Sequence, residues 1–224
     1  MDNFDWLADG ECTLDNVLPH VRPGAWVLDL GCGTSSFATK LCMVCPVPVN
    51  VVCLDFSWTG VHLTRQLCRE QFSNSEIIKP TSIVHFVQAD ATKMPFRGEL
   101  FDVVLDKGTT DSVLKMDDEE KSLQMCREIL SESLRLLSSS GVYLQITDED
   151  PDLRMSLLQE LLSKECDSNN ISISHKKISE EGMWEYFMYA LRKYKCTKNV
   201  YIKNITSHRN RKFTFEPKDL LSGK

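Results

Sequence analysis

The sequence predicts an α/β fold built on a doubly wound, seven-stranded sheet that is mostly parallel and ends in a C-terminal antiparallel hairpin. Short apolar runs alternate with segments of helical periodicity from residue 26 to residue 162, a pattern typical of parallel strands joined by helices. Two further runs, at 171–178 and 184–191, alternate apolar and polar side chains and favour an antiparallel pair. With 224 residues, the chain is long enough to bury a sizeable core in one domain.

Turn residues mark the ends of several predicted strands and helices. Gly31 follows the first strand, Asp55 follows the second, and Gly141 is expected to end the longest helix. The predicted strands are Trp26–Leu30, Val51–Leu54, Ile83–Ala89, Phe101–Leu105 and Val142–Thr147, followed by the hairpin strands Ile171–Ile178 and Trp184–Leu191. The predicted helices are Ser35–Val44, Thr59–Gln71, Asp117–Leu137 and Leu153–Leu162.

Composition and charge argue against several classes of protein. The 42% hydrophobic and 26% charged residues are ordinary for a globular domain. No apolar run approaches the ~18 residues of a membrane span, and a net charge of −6 disfavours a nucleic-acid binder. We expect one domain over residues 1–191 and a flexible basic tail over 192–224. The tail is either a solvated extension or a contact for an acidic partner or RNA.

The nine cysteines stand at irregular spacing in a sequence without a signal peptide, which favours free thiols over a disulfide framework. Cys42 and Cys45 form a CxxC pair, but no second pair stands at zinc-ligand spacing. We therefore predict plain packing for this pair and no metal. The first residues are acidic, which does not suit an Arg-rich mitochondrial targeting segment.

The first motif with chemical content is LDLGCGTSS at Leu28–Ser36. Glycines directly after a strand, here Gly31 and Gly33, permit a tight turn and let a ligand approach the backbone. The following helix offers its N-terminus to a polar group. A dinucleotide site would have a third glycine where Ser36 stands, and the acidic Asp29 suits a ligand with an ammonium group. The motif therefore predicts a site for the methionine end of S-adenosylmethionine.

Acidic residues at the ends of the next two strands extend this predicted site. A carboxylate at Asp55 can accept both hydroxyls of a ribose, whether in NAD or in S-adenosylmethionine. Asp90 can accept the exocyclic amine of adenine, while a neighbouring backbone N–H meets a ring nitrogen. The alternatives are a helix N-cap for Asp55 and a simple turn for Asp90.

The fourth strand leads into the sequence DKGTTD at Asp106–Asp111. Open parallel sheets build their sites at the carboxyl ends of their strands, so we expect Asp106 at the edge of the site and outside the core. Asp106 and Asp111 are the candidate catalytic residues, which could hold an ammonium substrate. A carboxylate beside an amine favours the protonated amine, so it would bind and orient the substrate more than deprotonate it.

The order of these motifs resembles that of the Rossmann-like class I methyltransferases, which use S-adenosylmethionine. The sequence Leu105–Ser112 is similar to a narrower group of protein-lysine methyltransferases, which includes enzymes that act on translation elongation factor 1-alpha and on citrate synthase. Phe4–Trp6, Gly31–Ser36 and Asp148–Arg154 resemble the mitochondrial citrate synthase-lysine methyltransferases most. The resemblance covers roughly residues 4–191.

The resemblance implies roles for further residues. Contacts to S-adenosylmethionine fall on Trp6, Gly31, Gly33, Asp55, Phe56, Asp90, Ala91 and Lys107. The acidic stretch Asp148, Glu149 and Asp150 would lie by the substrate lysine; alternatively it caps the next helix, with Pro151 in the first turn.

The reaction that the resemblance implies is methyl transfer to the neutral side-chain amine of a lysine. A neutral amine would displace the methyl group in line, without a metal and without a covalent enzyme intermediate. Citrate synthase is the expected protein partner. The alternatives are another substrate, such as elongation factor 1-alpha or a small molecule, and a non-catalytic interaction module. A mitochondrial location is implied, with the cytoplasm as the alternative because no presequence is visible.

Overall fold

The chain alternates helices and strands in the predicted order. The computed structural model describes residues 10–73, 82–163, 170–181 and 184–194. The strands are β1 (Ala25–Leu30), β2 (Val49–Asp55), β3 (Ile83–Gln88), β4 (Phe101–Lys107), β5 (Leu137–Thr147), β6 (Ile171–Glu181) and β7 (Trp184–Lys193). The helices are α1 (Gly10–Val17), α2 (Phe37–Val44), α3 (Trp58–Ser73), α4 (Thr109–Leu114), α5 (Glu119–Leu136) and α6 (Pro151–Ser163), with a short 3-10 turn at Leu18–His20.

All seven strands join one sheet in the order β3-β2-β1-β4-β5-β7-β6. The first five strands pair in parallel, and β7 runs antiparallel between β5 and β6. The chain builds outward from β1 to β3 on one side and then returns to place β4 on the other side of β1. This reversal creates a crevice at the carboxyl ends of β1 and β4, where open α/β sheets bind their ligands. The predicted fold class is confirmed.

The sheet is buried on both faces, which explains why its central strands are almost continuously apolar. On β1, Val27 and Leu28 are both fully buried but belong to different apolar clusters, because successive side chains point to opposite faces. The cluster around Val27 includes Leu41 of α2, and the cluster around Leu28 includes Ile129 of α5 and Leu158 of α6.

Gly141 does not end a helix, so that prediction is wrong. Helix α5 ends at Leu136, and β5 begins at the next residue and continues through Gly141. The pairing of β4 with β5 shifts register just after Phe101. A Cβ at Gly141 would lie only 2.9 Å from the carbonyl oxygen of Phe101. The glycine is there because β4 passes too close for any side chain.

Two short helices, α1 and α4, were not predicted from the sequence. Helix α1 has only eight residues and α4 only six, too few to show a clear helical period. Helix α4 begins directly after Gly108, whose φ of 78° lies in the left-handed region that glycine tolerates. The sharp turn predicted at residues 107–109 is thus the start of a helix.

The last strand is longer than predicted. Strand β7 continues through Arg192 and Lys193, which were assigned to the basic tail, and the Lys193 ammonium donates to the Leu137 carbonyl at 3.3 Å. Residues 195–224 lie outside the described part of the chain. No helix within the described ranges is long and apolar enough to cross a membrane.

The CxxC pair is packed in the core as predicted. Cys42 and Cys45 are 3% and 1% exposed, and no cysteine among the described residues forms a disulfide. Burial raises the pKa of Cys42 to about 12, so this thiol stays protonated and unreactive at neutral pH.

We predict that Gly141→Ala destabilises the fold by about 1–3 kcal/mol, because overpacking a rigid backbone contact costs that much. Urea unfolding measures the change. Gly98→Ala is the matched control, since a Cβ there would lie 3.4 Å from its nearest neighbour, the Arg135 carbonyl oxygen. Equal stability of the two variants would contradict the close-approach explanation.

Candidate active site

A cavity of about 660 Å³ opens at the carboxyl ends of the parallel strands. Its size is typical of a site for a small molecule or cofactor. The lining comes from the loops after β1 and β5, the ends of β2 and β4, helices α3 and α4 with the residues beside them, and the start of β7: Gly31, Cys32, Gly33, Thr34, Ser35, Asp55, Ser57, Thr59, Gly60, Leu63, Lys107, Gly108, Thr109, Asp111, Ser112, Lys115, Asp148, Trp184 and Tyr186. The sheet order therefore brings together residues that lie far apart in the sequence.

The glycine loop after β1 has the backbone that the motif predicted. Gly31 and Gly33 have φ values of 66° and 52°, in the left-handed region. A Cβ at Gly31 would lie 2.1 Å from the hydroxyl oxygen of Thr109, which donates a 2.6 Å hydrogen bond to the Leu30 carbonyl. Gly31 therefore lets the start of α4 pack against the end of β1. A Cβ at Gly33 would meet nothing within 4 Å, which leaves open space for a ligand.

Asp55 braces the glycine loop from the end of β2. Its carboxylate accepts hydrogen bonds from the backbone N–H of Gly33 at 2.9 Å and of Ser57 at 2.8 Å. It does not cap α3, because the Ser57 hydroxyl takes that role by accepting from the Gly60 N–H at 3.2 Å. Asp55 lines the cavity and is 7% exposed, so its unused lone pairs can reach a ligand there.

Asp106 lies in the core and not at the edge of the site, so the predicted placement is wrong. Its side chain is fully buried and absent from the cavity lining. One carboxylate oxygen accepts from the backbone N–H groups of Thr109 and Thr110 at 2.8 and 3.2 Å. The other accepts from the Thr110 hydroxyl, the Tyr143 hydroxyl at 2.6 Å and the Gln145 amide at 3.1 Å.

These contacts make Asp106 a residue that positions α4 and leave it no room to touch a substrate. Burial, reinforced by the negative charge of Asp106, raises the pKa of Tyr143, so that the tyrosine hydroxyl stays protonated and donates to the carboxylate. The sequence placed Asp106 correctly at the end of β4. It could not show that Tyr143 and Gln145, on the neighbouring β5, would surround it.

Asp111 lines the cavity from α4 and forms a partly buried ion pair with Arg154 of α6. One carboxylate oxygen accepts from the Arg154 guanidinium and from the Thr147 hydroxyl at 3.1 Å. Burial raises the pKa of Asp111, while the Arg154 charge acts in the opposite direction. Arg154 is 1% exposed and was not singled out from the sequence as a site residue.

The acidic stretch after β5 divides into residues with different tasks. Asp148 is exposed and lines the cavity. Glu149 does not line it, and its backbone is held by the Thr147 and Tyr189 hydroxyls at 3.1 and 3.0 Å. Asp150 accepts from the Asp152 N–H at 2.8 Å and thereby caps α6, as the alternative interpretation expected.

Of the remaining described residues predicted to bind the cofactor, one lines the cavity and the others do not. Lys107 lines it, whereas Phe56, Asp90 and Ala91 do not. Phe56 is 80% exposed, and the Asp90 carboxylate accepts from the Thr92 N–H and hydroxyl, both at 2.8 Å, in a local turn. Asp29 is buried within β1, outside the lining. Trp6 lies outside the described residues.

The aromatic part of the lining was not predicted from the sequence. Trp184 and Tyr186 begin β7, a strand predicted only as half of a hairpin. Their same-face spacing of two residues was visible in the sequence. That β7 would lie beside β5, at the carboxyl edge, follows only from the sheet order.

Comparison with known proteins identifies this arrangement. A methyltransferase-domain family matches the chain over residues 22–195. The mitochondrial citrate synthase-lysine N-methyltransferase of Danio rerio is 30% identical over 199 residues, which are 84% of this chain and 75% of that protein. The chain belongs to this methyltransferase family.

Other relatives of this methyltransferase agree. The enzyme of the same name from Homo sapiens is 37% identical over 166 residues, 70% of this chain and 67% of that protein. The eEF1A lysine and N-terminal methyltransferase of Homo sapiens is 34% identical over 128 residues, 57% of this chain and 17% of that protein. A solved S-adenosylmethionine-dependent methyltransferase from Methanosarcina mazei has a TM-score of 0.61 at 14% identity and covers 80% of this chain and 98% of that chain, which shows the shared Rossmann-like fold.

S-adenosylmethionine is the cofactor of this methyltransferase family, and the site fits it. The open space at Gly33 and the carboxylate of Asp55 suit the methionine and ribose parts. When bound, the cofactor supplies an electrophilic methyl group on a sulfonium. The chain's own contribution is to hold the two reactants in line, which supplies most of the rate in such a transfer.

We predict that Asp106→Ala destabilises the methyltransferase by at least about 3 kcal/mol. The change removes the acceptor of the Thr110 and Tyr143 hydroxyls and of the Thr109 and Thr110 backbone N–H groups, and each buried donor left unsatisfied costs about 1–3 kcal/mol. The Gln145 amide keeps the Tyr143 hydroxyl as an acceptor. Thermal unfolding measures the loss, with the exposed Asp117→Ala as the control, expected within about 0.5 kcal/mol of wild type. If Asp106→Ala has normal stability but no activity, the structural role is contradicted and Asp106 acts directly at the active site.

We predict that Asp55→Asn raises the dissociation constant for S-adenosylmethionine about 10- to 100-fold. Hydrogen bonds to a charged acceptor contribute about 1.5–3 kcal/mol, and each 1.4 kcal/mol is a factor of ten. Titration calorimetry measures the affinity, and unfolding without ligand checks that the glycine loop is intact. Unchanged affinity would remove Asp55 from the cofactor site.

Proposed function

We propose that this methyltransferase transfers methyl groups from S-adenosylmethionine to a lysine side chain of citrate synthase in the mitochondrion. The observation that carries the proposal is the similarity to enzymes named for that substrate and compartment, which extends over most of the chain. The similarity to the elongation-factor enzymes covers a shorter stretch and supports the broader reaction, transfer to a protein lysine.

The order of the strands supports a direction for the transfer. Asp55 follows β2, the glycine loop follows β1, and Lys107 ends β4, so the proposed cofactor residues occupy one half of the cavity. Asp148 follows β5 and lies in the other half. We assign the first half to the methyl donor and the second half to the target lysine.

The carboxylates of the second half suit a cationic target. Asp148 is exposed at the cavity and can attract a lysine on a basic protein surface. Asp111, which also lines the cavity, is compensated by Arg154, so it adds little negative charge. This balance matters because a free lysine has a pKa of about 10.4 and must lose its proton before it can attack. An uncompensated carboxylate would hold that proton more firmly.

We predict that the methyltransferase labels one lysine of folded citrate synthase and that added salt slows the reaction. Exposed charges at the cavity mainly affect the rate at which the substrate associates. Dissolved salt screens them over about 8 Å at physiological ionic strength. The experiment incubates the enzyme and S-adenosylmethionine with citrate synthase and, separately, with elongation factor 1-alpha, and maps methyl groups by mass spectrometry. Label on the elongation factor alone would sink the substrate assignment and favour the cytoplasm.

The same assay tests the role of Asp148, the exposed carboxylate at the cavity. We predict that Asp148→Lys lowers kcat/KM for citrate synthase about tenfold at low salt and less at high salt. Glu160→Lys is the matched control, because it makes the same charge change on an exposed residue of α6 outside the cavity. Equal losses in the two variants would show that net charge matters and the position of Asp148 does not.

A further inference from the structure

The β6–β7 hairpin extends beyond the end of β5. It does so in the half of the cavity that we assign to the target lysine, called the acceptor half below. Pairing of β7 with β5 ends where Phe187 meets Thr147, whereas pairing of β7 with β6 continues to Trp184. The first three residues of β7 therefore have no β5 partner and stand beyond the end of β5. Trp184 and Tyr186 line the cavity from this position.

The alternation of side chains along β7 separates these aromatic residues from their neighbours. Phe187 and Met188 belong to the apolar clusters on opposite faces of the sheet, and Tyr186 packs partly against the cluster of Met188. Trp184 follows the same alternation. Glu185 is directed elsewhere and pairs with Lys177 at 2.5 Å.

Trp184 is 61% exposed although it is a large apolar side chain at the start of an ordered strand. The other described residues leave much of this side chain uncovered in the lining of the cavity, where it can contact a bound molecule. It lies far from the ribose end: β2 and β7 are four strand spacings apart in the sheet, about 19 Å at roughly 4.8 Å each. A molecule that contacts Trp184 therefore lies outside the cofactor half of the cavity.

We infer that Trp184 and Tyr186 form an aromatic wall that binds the charged end of the target lysine, before and after methylation. The inference rests on the proposed lysine methyl transfer. Aromatic faces attract ammonium and methylammonium groups, most strongly at tryptophan. Lys107 and Lys115 also line the cavity, but both have partners within the protein, and Asp148 adds a negative charge to the same lining.

An aromatic wall has a consequence that carboxylates alone do not have. In each transfer the amine nitrogen forms a bond to the methyl carbon, the carbon–sulfur bond breaks with its electrons on sulfur, and the product ammonium releases a proton to water before the next transfer. Each methyl group replaces an N–H donor while the cation persists, so hydrogen bonds to carboxylates weaken and the attraction to a π face remains. The wall thus favours repeated transfer to one lysine.

The direct test uses free trimethyl-lysine as the probe and needs no protein substrate. The methyltransferase, saturated with S-adenosylhomocysteine, is added to the probe, and the N-methyl proton resonance is followed by NMR. We expect an upfield shift with the wild type and with Trp184→Phe, and loss of the shift with Trp184→Ala. Ile83→Ala is the control, because it removes an exposed apolar side chain at the start of β3, on the opposite edge of the sheet. A shift that survives Trp184→Ala overturns the inference.

A second measurement connects the wall to turnover. With citrate synthase as substrate, Trp184→Ala should raise KM about 3- to 30-fold, the range that cation–π energies imply, and shift the products towards monomethyl-lysine. Affinity for S-adenosylmethionine should stay at the wild-type value; a matching loss of cofactor affinity would overturn the inference. Failure of the proposed function is distinguishable, because the wild type itself would then leave citrate synthase unlabelled while the probe still shifts.

Discussion

The buried carboxylate of Asp106 is the contact on which the geometry of the site depends. It accepts hydrogen bonds from the first turn of α4 and from two side chains of β5, so it joins three elements at the point where the sheet opens. Because α4 is fixed, Thr109 reaches the Leu30 carbonyl and presses against Gly31. A charge in the core is costly unless its hydrogen bonds are satisfied, and here five donors satisfy it.

The same anchor extends to the acceptor side. Helix α4 carries Asp111 into contact with Arg154, which belongs to α6, and Thr147 at the end of β5 bonds to both. Helix α4 is thus attached to β1 on one side and to α6 on the other. Hydrogen bonds thus join the end of β1, α4 and the start of α6 into one frame, which suits the positioning of two reactants.

Sequence patterns predicted the parts of this frame that depend on local chemistry. The glycine loop and the ends of the central strands follow from apolar runs broken by Gly31 and Asp55, and they were confirmed. Asp106 was misplaced because its burial depends on Tyr143 and Gln145, which lie on another strand. Trp184 was missed for the same reason, since only the pairing of β7 with β5 brings it to the cavity.

The central claim is that methyl transfer crosses the carboxyl edge of the sheet, from the cofactor at β2 and β1 to the lysine at β5 and β7. A crystal structure of the methyltransferase with S-adenosylhomocysteine and a lysine-containing substrate peptide tests it most directly. The account predicts ribose hydroxyls at Asp55, the sulfur near Lys107–Thr109, and the lysine nitrogen between the sulfur and Trp184. A cofactor with its sulfur directed away from β5 and β7, or a lysine that enters past α3, would contradict the account.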